Sequence, residues 1–145
     1  MKKEEDCSPK RSDCAVSFAL NVFGDKWSLL IIRDLLFSEK RSYGEFLASA
    51  EGIATNILAA RLKTLEERGI VTKTPDAANG RRSLYHLTAK GSDLLPIVLE
   101  IMRWSAKHEP GAAACGAVMA QFKKDREGFL KEYGTRLKKE HGKYS

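Results

Sequence analysis

The 145-residue sequence has few of the residues that staple a small protein or hold a metal ion. Its three cysteines, Cys7, Cys14 and Cys115, are odd in number and widely spaced, so they do not form the paired CxxC framework of a structural zinc site. Such cysteine usage fits a reducing compartment best. We therefore expect no metal and no other cofactor.

The sequence also lacks the arrangements that catalysis requires. His86, His108 and His141 are scattered, with no HExxH motif and no cysteine beside a histidine at ligand spacing. No glycine-rich phosphate loop is present. An enzyme would need a nucleophile with a nearby base, a carboxylate pair or a metal cluster, so we predict that this protein is not an enzyme.

Long hydrophobic runs are missing as well. The longest apolar run, Leu29 to Ile32, is too short to cross a bilayer, and the N-terminal MKKEEDCSPKRSDC lacks the apolar stretch of a secretory signal. We expect a cytoplasmic protein with no membrane partner.

What the sequence does contain is a large apolar fraction and an excess of basic side chains. Hydrophobic residues make up 43%, which is enough for a chain of this length to build a core without staples. Lys plus Arg total 25 against 19 for Asp plus Glu, and the net charge of +6 biases the surface toward polyanions. Charge alone does not separate nucleic acid from other anionic partners.

The N-terminal third is predicted to be helical after a flexible arm at residues 1–11. Ser12 can cap a first helix with two apolar stripes, Gly24 ends it, and Asp25 can cap a second helix. The second helix, WSLLIIRDLLF, is apolar almost all round, as expected at the centre of a domain.

The middle of the chain predicts two helices joined by a tight turn. A short strand at 41–43 is followed by Ser42 and Glu45, which match a capping box. The turn Glu51 to Gly52 leads to TNILAARLKTLEERG, where Leu58, Leu62 and Leu65 line one face and Gly69 stops the helix.

Two strands, IVTKT and RRSLYHL, follow, with Asn79 and Gly80 predicted at the hairpin tip. Arg81 and Arg82 would then both project from the end of this wing, where they suit a narrow minor groove or simply protect an edge strand. Thr88 is predicted to cap one long helix that contains Pro96 and ends before Pro110. A linker and a last amphipathic helix, carrying Val118, Phe122, Phe129 and Tyr133, complete the chain.

This order of elements predicts a mainly α fold with a small β-wing, a winged helix-turn-helix, because a helix fits the major groove and a hairpin beside it reaches the adjacent groove. We expect the DNA-binding domain at 12–108, and the linker and C-terminal helix at 109–145. The recognition helix would present small and polar residues to DNA, with Asn56 reading adenine. The candidate DNA-binding residues are Arg41, Thr55, Asn56, Ala59, Ala60, Arg61, Lys63, Arg81 and Arg82.

At this point the sequence resembles the HxlR-type winged helix-turn-helix transcriptional regulators of the MarR-like superfamily. The matching segments are DCAVSFALNVFGDKWSLLIIRDLLFSEKRSYGEF, GIATNILAARLKTLEERGIVTKT and SLYHLTAKGSDLLPIVLEIMRW. The resemblance implies a bacterial homodimer that binds double-stranded DNA and whose first and last helices form the dimer interface. This chain departs from the family in having Ala54 where Ser usually begins the recognition helix, and in lacking wing prolines before the second strand.

The apolar stripes of the first helix agree with that implied interface. We expect the dimer to be held by two groups of side chains, helped by Phe122 and Phe129. The two groups are Val16, Leu20 and Phe23 on the first helix, with Ile101, Met102 and Trp104 on the long helix. The alternative function is a winged-helix module that binds only proteins, with the basic C-terminal helix as its docking surface.

Cys14 is the candidate regulatory residue. It lies at the predicted start of the first helix, where amide hydrogens and the positive end of the dipole stabilise a thiolate. The resemblance implies the same role, because several HxlR-type regulators carry a cysteine at this place. Cys14 is thus either a redox sensor whose effector is an oxidant or electrophile, or a small apolar residue at the dimer interface.

Overall fold

The computed structural model describes residues 13–112 and 116–144 and is mainly helical with a two-stranded wing, as predicted. The helices are α1 (Ala15–Phe23), α2 (Lys26–Phe37), α3 (Tyr43–Leu47), α4 (Thr55–Glu67), α5 (Ala89–Ser92), α6 (Leu95–His108), α7 (Gly116–Lys124) and α8 (Arg126–His141). The strands are β1 (Val71–Asp76) and β2 (Asn79–Leu87), and a 3-10 turn at Gly142–Tyr144 follows α8.

Helices α1 and α2 meet at a sharp corner of 77°. Gly24 is the C-cap of α1, and a side chain there would clash with the carbonyl of Leu20. The Asp25 carboxylate accepts a hydrogen bond from the Ser28 amide at 3.0 Å and so caps α2, as the sequence predicts. The predicted cap of α1, Ser12, lies outside the described residues, and Cys14 occupies the N-cap position.

The helix-turn-helix consists of α3, a turn and α4. The predicted capping box is present, since the Glu45 amide donates to Ser42 Oγ at 3.3 Å while the Glu45 carboxylate accepts from the Ser42 amide at 3.0 Å. Gly52 and Gly69 have φ of +71° and +76°, a conformation that favours glycine, at the two ends of the α4 segment. The predicted strand at 41–43 is reduced to a single bridge between Ser42 and Leu84.

The wing differs from the predicted hairpin at its tip. Asp76 pairs with Asn79, so the turn is formed by Ala77 and Ala78, and Asn79 and Gly80 are the first residues of β2. The register shifts between Pro75 and Asp76, because Pro75 pairs with Ser83. The Asp76 carboxylate accepts from the Ala78 amide at 3.0 Å, and this side-chain contact places the turn.

The predicted long helix after the wing is broken into α5 and α6. Thr88 caps the first of them, since its Oγ1 accepts from the Gly91 amide at 3.0 Å. The break at Asp93 and Leu94 precedes Pro96, which has no amide hydrogen to continue a helix. Helix α6 then ends at His108, before Pro110 as expected.

The last segment is also two helices where one was predicted. Asp125 leaves the helical conformation at φ −148° and caps α8 by accepting from the Gly128 amide at 3.1 Å. Both helices pack into the same core as the rest of the chain, through Met119, Phe122, Phe129 and Leu137. No single helix of the described segments is long and apolar enough to span a membrane, although the bent pair α1 and α2 passes that test together.

Candidate nucleic-acid interface

Helix α4 has one buried and one exposed face. Leu58, Leu62 and Leu65 are at most 2% exposed, and they hold the helix against the core. The five predicted base-facing residues on the opposite side are all exposed: Thr55, Asn56, Ala59, Ala60 and Lys63. The leucine spacing therefore turns small and polar side chains outward, as a recognition helix requires.

The start of α4 is fixed by contacts from α3 and from the turn. The Tyr43 hydroxyl donates to the Thr55 carbonyl at 3.0 Å, which ties the two helices together. Ala54 is the N-cap and supplies no side-chain hydrogen bond, so the Thr55 and Asn56 end of the helix lacks the usual polar cap.

A polar network that sequence reasoning missed anchors the turn to α2. Arg33 Nη1 donates to the Glu51 carboxylate at 2.8 Å, and Arg33 Nη2 contacts the buried Asp34 at the same distance. Asp34 also accepts from the Ser49 hydroxyl at 3.0 Å and lies 3.6 Å from the Lys40 ammonium. The signal was a carboxylate inside an apolar helix, because a buried charge needs partners.

The hydrogen bond from Arg33 holds the pKa of Glu51 at about 2, well below its usual range. The pair therefore stays charged throughout the neutral range and braces the turn before α4.

Arg61 is held between α2 and α4 by a partner on the neighbouring helix. Its Nε donates to Asp25 Oδ2 at 2.9 Å, the same carboxylate that caps α2. Partial burial raises the pKa of Asp25, but the hydrogen bonds from Ser28 and then from Arg61 outweigh it, so the net shift is downward. The structure thus gives Arg61 a bracing contact beside the exposed face.

The two arginines of the wing differ in their contacts, whereas both were predicted to project from the end of the wing. Arg81 is exposed at the start of β2. Arg82 instead folds back, and its Nη2 lies 2.7 Å from the Asp76 carboxylate. Hydrogen bonds from the Ala78 amide and from Arg82 lower the pKa of Asp76, so this pair stays ionised.

Arg41 was predicted to contact DNA, but the structure places it elsewhere. Its Nη1 donates to the carbonyls of Ser38 at 3.0 Å and Lys40 at 2.7 Å. The half-buried side chain lines a cavity with Tyr133 and Arg136 of α8, so it does not join the exposed face of α4.

Large apolar side chains are also exposed on α1 and on α6, and we call these residues together the apolar patch. Its members are Val16, Phe18, Leu20, Ile97, Ile101 and Trp104, which are 41% to 66% exposed. Met102 is half-buried beside them. Three predicted dimer residues, Phe23, Phe122 and Phe129, are instead buried in the chain's own core, at most 9% exposed, because one apolar stripe of each helix is used for internal packing.

Cys14 is exposed at the N-cap of α1, the helix that carries Val16, Phe18 and Leu20 of the apolar patch. Cys7 and Cys115, its suggested bridging partners, lie outside the described residues. Among the described residues no group of three or more histidine, cysteine or acidic side chains could hold a metal ion.

Comparison with known proteins places this geometry in a family. The family model named HxlR-like helix-turn-helix matches residues 22–112 of this sequence, which include α2 to α6 and the wing. The chain belongs to the HxlR-like helix-turn-helix family. The family resemblance seen in the sequence is thereby confirmed, and with it the winged helix-turn-helix fold, a fold that presents one helix to the major groove.

Individual HxlR-like relatives are similar over most of this region. MT3179, an HTH-type transcriptional regulator of Mycobacterium tuberculosis, is 33% identical over 105 residues, which is 72% of this chain and 65% of that protein. The chain thus spans about two thirds of the length of the mycobacterial relative. YodB, an HTH-type transcriptional regulator of Bacillus subtilis, is 33% identical over 98 residues, 67% of this chain and 87% of its own.

Solved HxlR-like structures have the same fold. The redox regulator HypR in its oxidized form superposes with a TM-score of 0.59 at 31% identity, over 66% of this chain and 98% of its own. The reduced form of YodB gives a TM-score of 0.55 at 31% identity, over 69% of this chain and 99% of the YodB chain. Nearly all of each solved chain is matched, and about a third of the present chain is not.

Proposed function

We propose that this chain is a sequence-specific DNA-binding transcriptional regulator. The observation that carries the proposal is the exposed face of α4, where Thr55, Asn56, Ala59, Ala60 and Lys63 lie opposite a buried leucine face. Helix-turn-helix proteins insert the exposed face of their second helix into the major groove. The regulators named among the relatives support this assignment.

Each exposed residue suits a particular contact in the groove. Asn56 can form a bidentate pair with adenine, and Thr55 can bond a base edge or a phosphate. Ala59 and Ala60 are small enough to allow close approach and to contact thymine methyl groups. Lys63 supplies a phosphate contact that gives affinity without sequence preference.

The wing adds positive charge beside this helix. In the proposal, Arg81 enters the adjacent minor groove, whose negative potential attracts arginine. Arg82 contributes through its pair with Asp76, which stiffens the base of the turn. The proposal leaves Arg41 out of the interface, because its Nη1 donates to the carbonyls of Ser38 and Lys40.

The test is fluorescence anisotropy with DNA from upstream of the protein's own gene and with random DNA, at several salt concentrations. Asn56→Ala should cost roughly 1 to 3 kcal/mol on the specific site and little on random DNA. Glu67→Ala, at the exposed far end of α4, is the matched control and should leave discrimination unchanged. A protein that binds neither DNA would instead be a winged-helix module for protein contacts.

The second part of the proposal is that the regulator is a homodimer reading a pseudo-palindromic operator with half-sites about one helical turn apart. The apolar patch supports it, because clusters of large exposed apolar side chains commonly mark protein interfaces, and Ile97, Ile101 and Trp104 line one apolar depression on α6. Leu20→Arg should shift the sedimenting species to a monomer, whereas Lys107→Glu, on exposed α6 surface, should not. A wild-type monomer at micromolar concentration would contradict the dimer.

The third part is that modification of Cys14 changes DNA affinity, with an oxidant or electrophile as effector. Its exposure at the N-cap of α1, a helix that carries part of the apolar patch, supports this role, since added bulk or a cross-link there would rotate one subunit against the other. The similarity to the redox regulator HypR adds support. Treatment with diamide should alter operator affinity in the wild type and not in Cys14→Ser. Unchanged affinity with Cys14 shown to be modified would leave only a structural role.

A further inference from the structure

A cavity of about 570 Å³ lies between the C-terminal end of α2, the strand β2 and helix α8. Its size falls within the range of about 300 to 1,000 Å³ that is usual for small-molecule sites. Four lining residues, Tyr133, Arg136, Glu140 and Lys143, follow the segment that matches the family model, so the C-terminal extension of this chain supplies one side of this site.

Charges of both signs line the cavity. Glu39 and Glu140 are exposed, so water screens them, although both carboxylates, together with Glu45, act on Arg41. Arg41 is the half-buried cation among the lining residues. His86 adds no charge near neutral pH, because burial lowers its pKa to about 4. Arg41 is therefore the least exposed charged group in the lining, whereas the carboxylates of Glu39 and Glu140 can turn toward solvent.

The Arg41 guanidinium has one edge left for a ligand. Both of its hydrogen bonds use Nη1, which donates to the carbonyls of Ser38 and Lys40. Among the described residues, Nε and Nη2 donate to no protein acceptor, and the ion pairs do not include Arg41. That edge matches the two oxygens of a carboxylate. Burial lowers the pKa of Arg41, and a bound anion would offset the cost of that desolvation.

Apolar and aromatic side chains also line the cavity walls, together with the charged ones. Phe37, Leu84 and Tyr133 are half-buried, and Leu36 is buried. The Arg136 guanidinium stacks over the Tyr133 ring at 4.3 Å and brings a second cation to the mouth. An inorganic anion would leave these walls uncovered, whereas an organic acid would cover them.

We infer that this cavity binds a small organic carboxylate with an apolar body. The carboxylate lies on the Nε and Nη2 edge of Arg41, and the body lies between Leu84, Phe37 and Tyr133. Arg136 closes the open side. The site is distinct from the exposed face of α4 and from Cys14, and it does not depend on the proposed DNA binding.

Isothermal titration of the full chain with 2-naphthoate tests the inference, with 2-naphthamide as a neutral ligand of the same shape. Naphthoate should bind at least about tenfold more tightly than the amide, a difference of roughly 1.4 kcal/mol. Equal affinities, or no naphthoate binding at millimolar concentration, would overturn the proposal.

Variants locate the site. Arg41→Gln should weaken naphthoate binding about tenfold or more, Arg41→Lys should keep part of it, and Lys139→Gln, an exposed charge on α8 that does not line the cavity, should leave it unchanged. Because Arg41 also supports the 38–40 segment, Leu84→Trp gives a second test by filling the cavity, and it should abolish binding. Wild-type affinity in Leu84→Trp, or an equal loss in Lys139→Gln, would place the ligand elsewhere.

Discussion

Acidification should unfold this protein through two buried histidines before its carboxylates titrate. His86 and His141 are 4% and 1% exposed, and their rings lie 5.8 Å apart between β2 and α8. His141 Nδ1 accepts from the Leu87 amide at 3.1 Å, which requires that nitrogen to carry no proton. Burial, and then the neighbouring positive charges, lower the pKa of both rings from 6.5 to about 4.

The sign and size of the effect follow from linkage. Because both pKa values are depressed on folding, the unfolded chain binds more protons between pH 6.5 and 4, and stability falls as the pH falls through that window. Lowering the pKa of each ring from 6.5 to about 4 corresponds to roughly 3 kcal/mol. The contribution is fully present above pH 6.5 and is lost near pH 4. Together the two rings would remove a large part of a typical stability of about 5 to 15 kcal/mol.

Urea unfolding followed by tryptophan fluorescence at a series of pH values measures this slope. Midway through the window the free energy of unfolding should fall by on the order of 2 kcal/mol per pH unit. His86→Phe, which keeps a ring of similar size, should reduce the slope by about half, whereas His108→Gln, at an exposed histidine, should not reduce it by a comparable amount. A flat wild-type profile above pH 4.5, or an undiminished slope in His86→Phe, would refute the assignment, since carboxylates such as Glu51 titrate mainly below that pH.

Three further outcomes follow from the other contacts. Glu51→Gln should lower the free energy of unfolding by about 1 kcal/mol, less at high salt, because it removes a largely solvated partner of Arg33; a salt-independent loss would contradict an ionic origin. Arg81→Ala should reduce the salt slope of DNA binding by about 1 at unchanged melting temperature, whereas Arg82→Ala should also lower the melting temperature, as differential scanning fluorimetry would detect. Deletion of residues 113–145 should prevent cooperative folding, because it removes Phe122 and Leu137 from the core and exposes the apolar side chains that they cover. A cooperative melt of the truncated chain would contradict this prediction.

The features that were correctly predicted are decided by short stretches of chain. The capping box at Ser42 and Glu45, the Asp25 cap and the Gly69 stop each satisfy backbone groups within a few residues, so their sequence signals suffice. The leucine spacing of α4 likewise fixes which face is buried, and this gave the exposed residues of the candidate interface.

The errors arose where side-chain contacts compete with local preference. Asn79 and Gly80 suit a hairpin tip, but the Asp76 carboxylate bonds the Ala78 amide and Arg82, so the turn forms earlier. The break of the last helix had a local signal that was overlooked, because Asp125 followed by Gly128 is an N-cap pattern.

Apolar stripes alone could not divide core from surface. Phe23 and Leu20 lie on the same short helix, yet Phe23 is 9% exposed and Leu20 is 56% exposed. The difference depends on which other helices pack against α1, and periodicity does not carry that information. The surroundings of Arg41 could not be predicted for the same reason, since residues of α8, distant in sequence, line the same cavity.

The C-terminal extension is therefore part of the folded unit in this chain. Tyr133 donates from its hydroxyl to the Leu36 carbonyl at 2.8 Å, and His141 accepts from the Leu87 amide, so α8 bonds both the central helix and the wing strand. HypR is matched over 98% of its own chain but 66% of this one, so its alignment leaves about a third of this chain without a counterpart. Protonation of His141 would break the bond to Leu87, and a ligand beside Arg41 would contact Tyr133. Either event would change contacts of α8, and α8 is hydrogen-bonded to both α2 and β2.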